Sequence, residues 1–90
     1  MIKAPANERE LRLLFDEVKK SLIVQEVQKY LQYERKELDL SEYTFNKIIG
    51  IDVKNMTYED IPKVIENLKE ILPKVALYVK TIVKRCENEL

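Results

Sequence analysis

The sequence predicts an all-α fold: a compact bundle of four to five helices with a long C-terminal helix kinked at Pro73. Three observations carry this expectation. An apolar stripe runs through the last third of the chain as Ile61, Ile65, Leu68, Leu72, Val75, Val79, Ile82 and Cys86, with spacings alternating between four and three. That alternation is the period of one helix face. The composition agrees, with a single glycine, 36% charged and 46% apolar residues, as expected of a globular helical chain. Finally, residues 51–55 are the one stretch that reads as irregular or extended, and a lone strand has nothing to pair with.

Taken in order, residues 1–6 form a lead-in with Pro5, and Asn7 is an N-cap candidate with Glu8 and Glu10 in the first turn, where the helix dipole favours negative charge. Leu11, Leu14, Phe15, Val18 and Leu22 then share a face, flanked by the i,i+4 pairs Glu8–Arg12 and Asp16–Lys20. After that the phase changes. Ile23, Val27, Tyr30 and Leu31 form a second face, with Val24 at its edge, centred roughly 160° from the first at 100° per residue. One long helix over about 8–36 fits this pattern if it buries opposite faces at its two ends. A break or bend near Ser21, which can cap a second helix, fits as well and is preferred, because a small bundle supplies few partners on both sides.

Residues 37–41 read as a connection in which Leu38 and Leu40 turn inward. Ser41 (or Asp39) caps a short helix over 42–49 that buries Tyr43 or Phe45 together with Ile48 and Ile49. Gly50 follows at the position where a left-handed C-terminal cap asks for glycine. Thr57 opens the final segment. With Asp60 it has the spacing of a capping box, and Met56 and Ile61 stand at the positions of a hydrophobic staple. Pro62 falls in or just after the first turn, where a missing N–H costs little. Pro73 lies deeper and should kink the helix or split it. The unbroken phase of the stripe favours a kink, or two nearly collinear helices. Val64, Ile71, Ala76 and Val83 widen the stripe, which suits a bundle more than a two-stranded zipper.

Length and charge narrow the function. Ninety residues make one helical domain, 1–90. The 16 cations balance 16 acids, which argues against a polybasic nucleic-acid coat or membrane binder. Cys86 is the single cysteine and falls on the apolar stripe. It is read as a buried, inert thiol in a cytoplasmic protein. No apolar run approaches a membrane span, and residues 1–7 lack a signal-peptide core.

Chemistry is harder to find. The chain has no histidine, one cysteine and one glycine, so the phosphate-binding and dinucleotide fingerprints are absent. Its carboxylates stand in polar surroundings, unlike tuned acid–base pairs. No catalytic residue, cofactor or metal is expected.

Two binding features remain. Residues 23–31, IVQEVQKYL, resemble the first helix of small helix-turn-helix regulators, and residues 41–50, SEYTFNKIIG, resemble their recognition helix. The resemblance covers about a third of the chain. It implies DNA contact by Asn46 as base reader and Lys47 as cation. The chain departs from that pattern between the two stretches. Residues 32–40 intervene and carry Glu34, Glu37 and Asp39, where the motif has a turn of three or four residues.

The acid-free run from Ile71 to Cys86 holds Lys74, Lys80, Lys84 and Arg85. Lys80 and Lys84 share one face, and Lys74 and Arg85 another. The five tyrosines are numerous for so small a domain, and tyrosine is favoured in interfaces. Tyr33 and Tyr78 fall off the main stripes, so they are expected as exposed anchors.

The expected function is a non-catalytic accessory or adaptor subunit. It docks through helical apolar surface onto a larger protein in DNA- or RNA-processing machinery, or onto a second copy, with Tyr33, Tyr78, Lys80 and Lys84 at the contact. The rival is a small helix-turn-helix-like DNA-binding regulator using Asn46, Lys47, Lys74 and Arg85.

Overall fold

A computed structural model describes the backbone of residues 8–89 and the side chains of residues 13–88. Four helices follow one another: α1 (Glu8–Glu37), α2 (Glu42–Ile49), α3 (Ile61–Ile71) and α4 (Pro73–Glu89). Two 3-10 turns, Val53–Asn55 and Tyr58–Asp60, bridge α2 to α3, and no strand occurs among the described residues. The expected cap at Asn7 and the Glu8–Arg12 side chains lie outside what is described.

α1 is one unbroken helix of 30 residues, and it sets the long dimension of a body measuring 50 × 25 × 19 Å. The preferred break at Ser21 is therefore corrected. Ser21 is exposed within the helix and caps nothing. The helix needs no partners on both sides, because only its second stripe is buried: Ile23, Val27 and Leu31 are fully packed, with Val24 and Tyr30 against them.

Why α1 stops at Glu37 is visible in its last turn. Asp39 takes a left-handed conformation, φ 54, the Asp39 N–H donates to the Lys36 carbonyl at 3.1 Å and the Leu40 N–H to the Arg35 carbonyl at 3.1 Å. That pair of bonds is a Schellman motif, with aspartate where glycine is usual. Arg35 reinforces it, donating to the Leu40 carbonyl at 3.0 Å and to Gln32 Oε1 at 2.9 Å. Leu40 is half-buried as expected, whereas Leu38 is exposed rather than turned inward.

α2 has both predicted ends. The Ser41 hydroxyl accepts from the Thr44 N–H at 3.2 Å, and Gly50 adopts φ 87 and donates its N–H to the Asn46 carbonyl. Phe45 and Ile49 are buried and Tyr43 is exposed. Thr57 and Asp60 form the capping box, the Asp60 carboxylate accepting from the Thr57 N–H at 2.9 Å. Met56 and Ile61, the staple residues, are both buried.

Pro73 interrupts the final segment as expected, but the interruption is a reversal. Leu72 leaves the helical region, φ −133 and ψ 72, because a residue before proline is pushed out of it. The Tyr58 hydroxyl, just ahead of α3, lies 3.1 Å from Glu87 Oε1 at the end of α4. Collinear helices would hold those residues about 40 Å apart at 1.5 Å per residue. α3 and α4 thus form an antiparallel hairpin. The stripe keeps its phase because both helices turn it to the same core: Ile61, Val64 and Leu68 from α3, Val75, Ala76 and Val79 from α4.

A docking face on the first helix

α4 runs antiparallel to α1. Tyr78 meets Tyr30, with ring centroids 5.7 Å apart, while Glu87 reaches the α1 turn that carries Asp16, Lys19, Lys20 and Ile23. Near that end, the face α1 turns toward the body is polar. Asp16, Lys19 and Lys20 line a small cleft with Tyr58 and Glu87, and the Lys20 ammonium stands 5.5 Å from the Tyr58 ring centroid rather than pairing with Asp16.

The opposite face of the same turns is apolar and faces solvent. Leu14 is 58% exposed, Phe15 55%, Val18 57% and Leu22 39%. The sequence reads these residues as one face of the helix, and the structure leaves that face uncovered. From Leu13 to Val18 every described side chain is exposed, and Lys19 and Lys20 beyond them are half-buried at the cleft. The sequence signal was the change of phase after Leu22, because a single straight helix can bury only one of two stripes roughly 160° apart.

The other predicted contact residues are scattered. Tyr33 and Tyr78 are each 59% exposed. They flank Tyr30 at the far end of α1, and the Tyr78 ring tilts against that of Tyr30. The Tyr30 hydroxyl is itself shut off from solvent with no partner in full hydrogen-bonding geometry. Its burial, with the nearby Glu34 carboxylate adding to it, pushes the phenol well above its usual range. Lys80 and Lys84 lie exposed one turn apart on α4, and Lys74 at its start and Arg85 near its end are exposed three turns from each other. Cys86 is half-buried against the core.

Asn46 is committed to the fold. Its Oδ1 accepts from the Val53 N–H at 3.2 Å and its amide donates to Asp52 at 3.3 Å. Lys47 stands 4.7 Å from the Tyr43 ring centroid. The connection from α1 to α2 is residues 38–41, one residue shorter than the 37–41 read from the sequence, and residues 32–37 of the stretch between the two motif-like segments belong to α1. Beside that corner lies an open groove of about 420 Å³ lined by Lys29, Arg35, Lys36 and Lys54 with Glu42. Lys54 pairs with Glu42 at 2.9 Å across it.

Among the described residues, no cluster of three or more His, Cys, Asp or Glu is placed to hold a metal ion, and no helix is long and apolar enough to cross a membrane. No family model, curated protein or solved structure matches the chain.

Proposed function

We propose that this chain is a non-catalytic adaptor subunit that docks onto protein through the apolar face of the N-terminal half of α1. One observation supports the reading above the others: Leu14, Phe15, Val18 and Leu22 are turned to solvent on the side of α1 away from the cleft lined by Asp16, Lys19 and Lys20. Four contiguous large apolar side chains on an exposed helix are the pattern of a helix read by a groove or by another helix. The test is a native pull-down of the tagged chain from its own source, with and without nuclease, beside the Val18→Asp variant. A stoichiometric protein that survives nuclease and high salt with the parent chain, and is lost with Val18→Asp, is the expected result. Equal recovery with the variant sinks the reading.

A second reading has its own observation. The four-residue connection between α1 and α2 has the length of a helix-turn-helix turn, and the groove beside it gathers Lys29, Arg35, Lys36 and Lys54. On this reading the corner contacts a DNA backbone, and affinity falls steeply with salt. Lys36→Glu and Lys54→Glu should then weaken binding on any sequence. Affinity independent of salt rules it out.

A further inference from the structure

We infer that the occupant of the exposed α1 face is a second copy of the chain, paired antiparallel about a two-fold axis near Val18. This rests on the docking reading above and deepens it. In an isologous contact the same patch must complement itself, and this one does. An antiparallel two-fold at Val18 brings residues whose numbers sum to about 35 to 37 together, keeping each flank of the stripe against the same flank of the other copy. Phe15 then faces Leu22 of the second copy on one flank. Leu14 faces the small Ser21 on the other, and Val18 meets its own equivalent between them. Large side chains sit beside small ones, as interdigitated packing requires.

Area and charge agree. The four stripe residues, each exposed by 39–58%, present on the order of 400 Å² of apolar surface. Two copies therefore contribute roughly 800 Å², which places the contact at the weak, concentration-dependent end of the interface range. The chain has equal numbers of cations and acids, so two copies do not repel. Lys19, whose like charge would fall near the axis, is half-buried and lines the cleft with Asp16 and Glu87, which holds it off the contact line.

Sedimentation equilibrium of the full chain over about 1–200 μM reads the result directly. The parent chain should move from 10.7 kDa to twice that mass, and Val18→Asp should raise the dissociation constant about 100-fold or more with an unchanged circular dichroism spectrum. Because Val18 is exposed in the single chain, the fold should tolerate the change. A second variant, Val18→Cys with Cys86→Ser, should form a disulfide-linked dimer on oxidation. A parent chain that stays monomeric at 200 μM, a Val18→Asp variant that still dimerises, or a cysteine variant that fails to cross-link would overturn the proposal. The pull-down separates this from the wider docking reading. A monomeric chain that loses a stoichiometric partner on Val18→Asp leaves docking standing and removes self-pairing. A dimer whose protein partners are indifferent to Val18→Asp does the reverse.

Discussion

Two residues with positive φ end two helices in this fold, and they should respond to mutation in opposite directions. Gly50 has φ 87, and a Cβ built on it falls 2.6 Å from the Asn67 amide nitrogen, which is itself engaged with the Ile49 carbonyl at 2.6 Å. Gly50→Ala should therefore cost about 1–3 kcal/mol from left-handed strain and the lost bond, read by urea denaturation. Asp39, at φ 54, already bears that strain, so Asp39→Gly should stabilise by up to about 1 kcal/mol. A loss there would mean that the Asp39 side chain contributes more than its backbone costs. The glycine was legible in the sequence because its type announces the conformation. The aspartate was not, because nothing in the sequence distinguishes a Schellman aspartate from a capping one.

Tyr30 offers a second test at the same scale. Its hydroxyl is buried with no partner in full hydrogen-bonding geometry and only the Glu34 carboxylate near enough to act on it, so Tyr30→Phe should change stability by no more than about 1 kcal/mol. The pH dependence follows from sign. The folded-state phenol is raised, first by burial and then by Glu34. Its contribution is complete below the unfolded value of about 10 and is lost as pH climbs from there toward the folded value. Tyr58, raised chiefly by its hydrogen bond to Glu87, adds to the same alkaline loss. Stability measured from pH 9 to 12 should fall less steeply in Tyr30→Phe. An unchanged slope would mean that the phenol is not protected.

Among the elements, the α3–α4 hairpin is where the stripe and the backbone were hardest to reconcile. Periodicity correctly marks Leu68, Val75 and Val79 as core, but it carries no information about direction. A reversal that keeps both stripes on one core looks the same in sequence as a straight seam. The departure lies in Leu72, driven from helical dihedrals by Pro73. The hairpin is nevertheless held by packing more than by the proline. Val79→Asp, which buries an unpaired carboxylate at a site with no exposure, should cost more than about 4 kcal/mol and abolish the fold. Pro73→Ala, at an exposed first helical position, should cost about 1 kcal/mol or less, chiefly through the entropy of the unfolded chain. Thermal melts monitored by circular dichroism separate the two. A collapse caused by Pro73→Ala would show that the proline, not the core, dictates the turn.

Over the whole molecule, α1 divides into two regions of different protection. From Ile23 to Leu31 its inner face is sealed by the core, so amides there open only with the global unfolding of the domain. Before Lys19 the described side chains are exposed on all sides, and the helix is supported by little more than its own hydrogen bonds and the polar cleft around Glu87. An isolated helix end of that kind frays readily. Hydrogen exchange on a dilute sample should therefore show amides 13–18 exchanging about 100-fold or more faster than those of 23–31. Raising the concentration into the range of self-pairing should slow the first group and leave the second unchanged, because docking the apolar stripe couples the fraying of this end to dissociation. Uniform protection along α1 at every concentration would contradict the division, since it would require a support for residues 13–18 that the described residues do not supply.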